Sequence, residues 1–199
     1  MSQNRIIVFV KNAIPGKVKT RLAKTIGDKE ALEVYLKLLE ITKTEVLKTE
    51  ADKEVWYAWE VGQDDIWSKD QFNKRVQIEG NLGAKMKNAF KTSFEEGVDK
   101  IVLIGSDCPT LTSDILEEAF DELENNEVVF GPSKDGGYYL IGMNSYKPEV
   151  LEGIAWSTGK VMSQTEKRAS KHNIKLAKLR VLNDIDNEKD WNEYLAGKN

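Results

Sequence analysis

One aspartate, Asp107, lies where a side chain could hold a metal ion. It follows a continuous apolar run, Ile101 to Ile104, that predicts a buried strand, and it precedes a helix start at Thr112 or Ser113. Ligands of open α/β sheets bind at the carboxyl ends of the strands. Since Mg²⁺ favours one or two carboxylates together with phosphate oxygens, Asp107 is the first candidate for a metal ligand.

The first 24 residues are basic, although the whole chain has a net charge of −4. They contain no acidic residue and six cationic ones, namely Arg5, Lys11, Lys17, Lys19, Arg21 and Lys24. A basic segment on an acidic protein indicates a local anion site rather than a nucleic-acid-binding surface. The alternative is a solvated charged loop.

A glycine and three cations follow the predicted first strand at residues 6–10. Gly16 permits close approach of the backbone to a ligand, and phosphate oxygens accept hydrogen bonds from cations such as Lys17, Lys19 and Arg21. The segment lacks both the P-loop pattern and the Gly-x-Gly-x-x-Gly dinucleotide pattern. It predicts a nucleotide-phosphate loop, with a basic surface turn as the alternative.

Two glycine-containing stretches stand where the chain could meet a substrate. Gly83 lies beside Asn81 at a predicted helix start, where free backbone N–H groups bind anions or a sugar, although many such starts are plain turns. Asp135 lies between two predicted strands and could bind an acceptor hydroxyl, and its neighbours would line a pocket: Gly136, Gly137 and Tyr138. A hairpin turn, for which Asp-Gly is a strong signal, is compatible with that role.

Two acidic residues, Asp184 and Asp186, follow the last predicted strand. They could share a cation, or they could cap the final helix. Trp156 precedes another helix and adds an aromatic group to the predicted substrate pocket. Nucleophilic catalysis by cysteine or serine is not indicated, because the only cysteine, Cys108, has no nearby base and the only histidine, His172, lies in a charged segment.

Strands alternate with helices along the chain, which predicts right-handed crossovers and a mostly parallel, doubly wound sheet in one α/β domain over residues 1–199. The predicted strands are 6–10, 55–59, 75–78, 101–104, 127–131, 137–143 and about 176–182, and a loop that contains Pro15 and Gly16 follows the first strand. The predicted helices cover 28–48, 82–96, a stretch from 112 or 113 to 123, 159–171 and 188–195.

The composition is that of an ordinary globular protein, with 40% hydrophobic and 31% charged residues. No apolar run approaches the length of a membrane span, and the first residues lack the features of a signal peptide. One cysteine excludes an intramolecular disulfide, and no Cys/His cluster suggests zinc. A cytoplasmic location is expected, and the oligomeric state is left open.

Taken in order, these segments resemble a bacterial family known as radical-SAM/selenodomain-associated or glycosyltransferase-like proteins, in the nucleotide-diphospho-sugar transferase superfamily with the GT-A fold. The matching stretches are 9–22, 80–83, 105–109, 131–132, 135–138, 156–158 and 184–186. The resemblance implies a three-layer α/β/α sandwich with a mostly parallel central sheet. One departure is that the family often has Gly-Asp-Leu-Gly with Arg before Met, where this chain has Asn81 and Lys85.

By that resemblance, Lys19 and Arg21 contact nucleotide phosphates and Asp107 holds Mg²⁺ or Mn²⁺, with Asp184 or Asp186 as the second ligand. The expected activity is metal-dependent transfer of a glycosyl or nucleotidyl group from a nucleotide or nucleotide-sugar donor to a small acceptor. Asp135 is the candidate general base for glycosyl transfer.

Three other classes of protein are alternatives to a transferase. A non-catalytic nucleotide-binding or regulatory module of the same fold is the main alternative, and a scaffold that acts through protein contacts is a weaker one. A dinucleotide-dependent oxidoreductase is disfavoured by the missing glycine pattern.

Overall fold

A seven-stranded sheet forms the centre of the computed structural model, which describes residues 3–197. The strand order is β3-β2-β1-β4-β6-β5-β7, and β6 is antiparallel to both of its neighbours while the other pairs are parallel. The strands are β1 (Asn4–Val10), β2 (Asp52–Tyr57), β3 (Asn73–Val76), β4 (Lys100–Ile104), β5 (Val128–Pro132), β6 (Tyr138–Met143) and β7 (Leu176–Lys178).

Helices cover both faces of the sheet, as the predicted three-layer sandwich requires. They are α1 (Thr20–Ile26), α2 (Asp28–Leu47), α3 (Leu82–Glu95), α4 (Ser113–Glu122), α5 (Val161–Lys171) and α6 (Glu188–Leu195), with a 3-10 helix at Pro148–Leu151. Two apolar clusters form the core, one between the sheet and α2 and α4, the other between the sheet and α3 and α5. The predicted α/β fold with a mostly parallel sheet is therefore confirmed.

Strand β4 lies inside the sheet and every one of its residues is buried. Side chains alternate between the two faces of a strand, so Val102 and Ile104 enter the α2–α4 cluster while Ile101 and Leu103 enter the other. A strand covered on both faces needs apolar residues at every position. Burial on both faces explains the continuous apolar run of β4. It also holds in place the end of the strand from which the chain continues to Asp107.

The largest difference from the predicted elements is α1, which occupies part of the predicted loop. A helix of seven residues is too short to be stable through its own hydrogen bonds, so tertiary packing must hold it. That packing is made by Leu22, which is fully buried in a cluster with Ala31 and Leu38 of α2 and with Ile185. Ala23 and Ile26 pack against the same cluster, but Leu22 is the only buried residue of α1, so the helix shows little of the apolar periodicity that marks longer helices.

Strand β7 is also shorter than predicted. Its ladder with β5 ends at Lys178, opposite Phe130, just before the register shift that β5 shows against β6 between Gly131 and Pro132. Beyond that shift the contact continues only through isolated hydrogen bonds, such as the one from Leu182 N to Pro132 O at 3.1 Å. The strand therefore ends before the acidic residues Asp184 and Asp186 are reached.

An ion-pair network lies towards the amino ends of β1 and β2, away from the strand ends that carry the candidate site. Glu54 is fully buried, and its carboxylate lies 3.1 Å from both Arg5 and Arg75 and accepts a 2.8 Å hydrogen bond from Trp56 Nε1. Glu96 pairs with both arginines, at 2.5 and 2.7 Å. These contacts tie the first three strands to the end of α3.

Between residues 3 and 197 the structure contains no helix that is both long enough and apolar enough to cross a membrane.

Candidate functional site

Three separate segments of the chain meet at the carboxyl edge of the central strands. Asp107 lies three residues beyond β4, Lys19 ends the loop after β1, and Ile185 follows β7. Lys19 Nζ lies 2.6 Å from Asp107 Oδ1 and donates a 2.6 Å hydrogen bond to Ile185 O. Ile185 N donates a 2.8 Å hydrogen bond to Asp107 O. The three segments thus form one closed polar junction.

The backbone of Lys19 is held in an uncommon conformation. Its φ of 46° and ψ of 41° lie in the left-handed region, which costs a residue other than glycine about 1–3 kcal/mol. Its side chain is only 4% exposed. Strained positions of this kind persist where surrounding contacts fix them and are common at functional sites. The contacts to Asp107 and Ile185 fix this one.

Arg21 approaches the same edge from the first turn of α1. Its guanidinium lies 2.8 Å from the Asp186 carboxylate, yet 69% of its side chain is exposed. An exposed ion pair contributes little stability, so either partner can be exchanged for a ligand. Arg21 is therefore accessible to an anion, whereas Lys19 is already engaged by Asp107.

Asp184 is the half-buried acid of the group. The pKa of its carboxyl is raised to about 7, chiefly by burial and then by the charges of Asp107 and Asp135, while Lys19 opposes the increase. The helix-capping interpretation of Asp184 and Asp186 is wrong, because a capping box made by Asn187 and Asp190 begins α6. The two acids are thus left for roles other than capping.

The donor set fits a divalent cation that is completed by substrate oxygens. Within residues 3–197 no three His, Cys, Asp or Glu side chains are arranged to hold a metal ion, so Asp107, Asp184 and Asp186 do not form a three-ligand cluster. Asp186 faces Arg21 instead. Magnesium commonly uses one or two carboxylates plus phosphate oxygens, and Asp107 and Asp184 could provide that pair. Burial is the main cause of the raised Asp184 pKa, and repulsion from Asp107 and Asp135 adds to it; such a cation would relieve that repulsion.

Asp135 lies in the turn of the β5–β6 hairpin, so the predicted turn is confirmed. Its Oδ1 accepts hydrogen bonds from Ser133 Oγ at 2.5 Å and from Gly137 N at 2.9 Å. Gly136 has a φ of +86°, and a Cβ there would lie 2.4 Å from Gly159 O. The turn therefore needs Asp135 and Gly136 for its own geometry, whatever else they contact.

Gly83, Trp156 and Tyr138 pack against one another. A Cβ built on Gly83 would lie 2.7 Å from the Trp156 indole, which in turn meets Tyr138 edge-on at 6.4 Å between ring centroids. Asn81 caps α3, since its Oδ1 accepts a 2.9 Å hydrogen bond from Ala84 N. Asparagine caps as well as aspartate, so the departure from the family pattern at this position preserves the cap. Phosphate contact at Gly83 and substrate contact at Asn81 stay predictions.

Gly83→Ala is expected to destabilise the protein. Helix propensity alone favours alanine by up to about 1 kcal/mol, but the new methyl group must displace a packed indole, and overpacking costs about 1–3 kcal/mol. Thermal unfolding followed by circular dichroism measures the net effect. Gly105→Ala is the control, because a Cβ there meets nothing within 4 Å. A variant more stable than the wild type would show that Trp156 moves aside freely.

Several residues position the site although their sequence context did not single them out. Tyr35 of α2 is a core residue whose hydroxyl donates to Lys11 O and accepts from Lys11 N, both at 2.9 Å. Asn12 Oδ1 accepts a hydrogen bond from Trp59 N at 3.2 Å. Trp59 is 49% exposed, and Lys17 Nζ lies 5.5 Å from the centroid of its ring. Lys17 thus lies over an aromatic ring rather than among the carboxylates.

Cys108 is buried beside the site. Burial, followed by the charge of Asp184, raises the pKa of its thiol to about 12. A thiol held protonated at neutral pH is a poor nucleophile. This agrees with the sequence-based argument against cysteine catalysis.

Comparison with known proteins supplies the context for this geometry. The model of a family described as "Uncharacterized protein conserved in bacteria (DUF2064)" matches residues 41–158. A crystal structure from Desulfovibrio desulfuricans G20, described provisionally as a nucleotide-diphospho-sugar transferase, is 33% identical with a TM-score of 0.91, and the match covers 100% of this chain and 89% of that one.

Two more distant proteins are also similar. The 2-phospho-L-lactate guanylyltransferase of Methanocaldococcus vulcanius is 23% identical over 175 residues, which is 85% of this chain and 75% of that protein. A Mycobacterium tuberculosis H37Rv protein solved as a complex with manganese is 15% identical with a TM-score of 0.58, covering 98% of this chain and 99% of that one. At that identity the likeness concerns the fold alone.

Proposed function

The chain belongs to the DUF2064 family, and from that premise we propose that it is a metal-dependent nucleotidyltransferase acting on a small phosphorylated acceptor. The observation that carries the proposal is the junction in which Lys19, Asp107 and Ile185 join three segments at the carboxyl edge of the sheet. The basic groups at this junction suit the phosphates of a nucleotide donor, and the acidic groups suit the divalent cation that accompanies them. We also propose that the chain belongs to the radical-SAM/selenodomain-associated group that its sequence resembles.

In the proposed reaction, a phosphate oxygen of the acceptor attacks the α-phosphorus of a nucleoside triphosphate. The bond from the α-phosphorus to the bridging oxygen breaks, and pyrophosphate leaves with that electron pair. Arg21 binds the departing phosphates, since its exposed guanidinium can exchange Asp186 for a phosphate oxygen. Asp107 and Asp184 would hold the divalent cation, and the cation would supply positive charge that neutralises the leaving pyrophosphate.

The contacts of Asp135 support nucleotidyl transfer rather than glycosyl transfer as the proposed reaction. Glycosyl transfer with inversion needs a general base for an acceptor hydroxyl, and Asp135 is the candidate. One of its carboxylate oxygens already closes the hairpin turn through Ser133 and Gly137. A phosphate acceptor is anionic at neutral pH and needs no base, so positioning and electrostatic stabilisation suffice. The guanylyltransferase relative supports the same reaction class.

Glycosyl transfer is the second candidate, because the 33% identical structure is described as a nucleotide-diphospho-sugar transferase. A thermal-shift panel separates the two reactions by testing nucleoside triphosphates and sugar nucleotides, each with Mg²⁺, Mn²⁺ or EDTA. A ligand at 100 times its Kd adds about 2.7 kcal/mol of stability, a Tm increase of about 5–10 °C for a chain of this size.

Each result of the panel has a defined meaning. Stabilisation by a triphosphate with metal, followed by acceptor-dependent release of pyrophosphate, supports nucleotidyl transfer. Stabilisation by one sugar nucleotide supports glycosyl transfer and identifies the donor. Metal-independent nucleotide binding without turnover would point to the non-catalytic module, and no stabilisation by any nucleotide would contradict the proposal.

Arg21→Ala is expected to weaken triphosphate binding about tenfold while leaving nucleoside binding unchanged, because a charge-assisted hydrogen bond to phosphate is lost. Isothermal titration of both ligands measures the effect. Lys48→Ala is the matched control, since it removes a half-exposed cation whose partner is Glu45 at the far end of α2. Equal losses for the nucleoside and the triphosphate would mean that Arg21 does not bind phosphate.

A further inference from the structure

Lys19 is paired with the carboxylate that the proposed metal would use. Its ammonium lies 2.6 Å from Asp107 Oδ1, and its side chain is 96% buried, since only 4% is exposed. Arg21, two residues along the chain, is 69% exposed. The two cations therefore differ in what they can offer a ligand. Arg21 can bind an incoming phosphate directly, whereas Lys19 must first leave Asp107.

The charge around Lys19 shows that one ammonium does not balance the site. The carboxyl of Asp184 is affected by three other acids and by Lys19, and Arg21 adds the second cation. The acids that interact here are Asp107, Asp135, Asp184 and Asp186, and the cations paired with two of them are Lys19 and Arg21. Acidic side chains therefore outnumber the cations at this site, which favours the binding of a further cation.

We propose that Lys19 is a resident cation that a divalent metal displaces from Asp107 when a nucleotide binds. The proposal rests on the proposed function, because the triphosphate provides the phosphate oxygens that receive the displaced ammonium. A lysine suits this exchange, since its ammonium is a point charge on a flexible four-carbon stem. Without nucleotide, Lys19 and the metal compete for one carboxylate. With nucleotide, the competition is relieved, so metal and nucleotide bind cooperatively.

Lys19→Met tests the exchange by two binding measurements on the nucleotide-free protein. Manganese alone, titrated by electron paramagnetic resonance, is expected to bind the variant about tenfold more tightly. The reason is that the ammonium that repels manganese and competes with it for Asp107 is gone. Inorganic tripolyphosphate in EDTA is expected to bind about tenfold more weakly, because Lys19 no longer reaches the phosphates. Opposite signs for the two ligands are the signature of the exchange.

Lys24→Met is the matched control, because it removes the same charge from an exposed position on α1. It is expected to change neither affinity more than twofold. Should Lys19→Met fail to fold, Lys19→Gln retains a donor for Ile185 O. In the wild type, the NMR signal of the Lys19 ammonium is also expected to shift when tripolyphosphate is added with Mg²⁺.

Unchanged or weaker manganese binding in both Lys19 variants would overturn the proposal, as would equal losses for manganese and tripolyphosphate, which a purely structural lysine predicts. The outcome of this test can be distinguished from the outcome of the test of nucleotidyl transfer. If the variants bind manganese more tightly but no nucleotide stabilises the wild type, the competition at Asp107 stands and nucleotidyl transfer falls. If nucleotides bind and turn over but manganese affinity does not rise, only the exchange is contradicted.

Discussion

Asp107→Asn is expected to lower the transferase rate about a thousandfold while leaving the protein folded. Removing one group that stabilises charge in a transition state typically costs a factor of about 10²–10³. Asparagine has nearly the same shape and keeps an oxygen that Lys19 can donate to. The backbone oxygen of Asp107, which accepts from Ile185 N at 2.8 Å, is not altered. The loss would therefore reflect the missing charge rather than a collapsed loop.

The measurement is kcat with the donor that the thermal-shift panel identifies, together with manganese binding in the presence of that donor. Asp186→Asn is the comparison, because its carboxylate pairs with the exposed Arg21. A loss of about tenfold or less is expected for that variant. If Asp107→Asn retained more than a tenth of the wild-type kcat, or if the Asp186 variant lost more activity, Asp107 would not be the principal metal ligand.

Glu54→Gln is expected to destabilise the protein by about 3–5 kcal/mol, which corresponds to a decrease in Tm of about 10 °C. Glu54 is fully buried and lies 3.1 Å from both Arg5 and Arg75. Neutralising it leaves the charge of Arg5, whose side chain is 8% exposed, with two carboxylate partners nearer the surface, Glu96 at 2.5 Å and Asp52 at 3.9 Å. Breaking a buried ion pair on one side costs more than the pair itself contributes.

Urea and thermal unfolding measure this effect, with Glu95→Gln as the control. Glu95 pairs with Lys91 at 3.7 Å on the surface of α3, and both side chains are at least 60% exposed. Its substitution is expected to change stability by less than about 0.5 kcal/mol. A change below about 1 kcal/mol for Glu54→Gln would show that the two arginines find other partners and that the network is not a stabilising unit.

The α/β class could be predicted because its signals are local. The apolar run of β4 reflects burial on both faces, and the apolar spacing within α2 and α3 reflects burial on one. The Asp-Gly turn between β5 and β6 is equally local. Each signal depends on a few neighbouring residues, so the sequence alone carries it. The shape of α1 was not predictable, because its single buried anchor, Leu22, acts through distant partners.

For the candidate site, the sequence determined which chemical groups reach the carboxyl edge of the sheet, since each follows a strand. It did not determine which groups touch. Arg21 meets Asp186 across 165 residues of chain and Lys19 meets Ile185 across 166, whereas Lys17 lies over Trp59 instead. These contacts depend on the strand order, which makes β1 the neighbour of β4 and brings the chain after β7 back to Asp107. Strand order is set by packing of the whole chain. Only the tertiary structure therefore decided that Lys19, rather than another cation, forms the ion pair with Asp107.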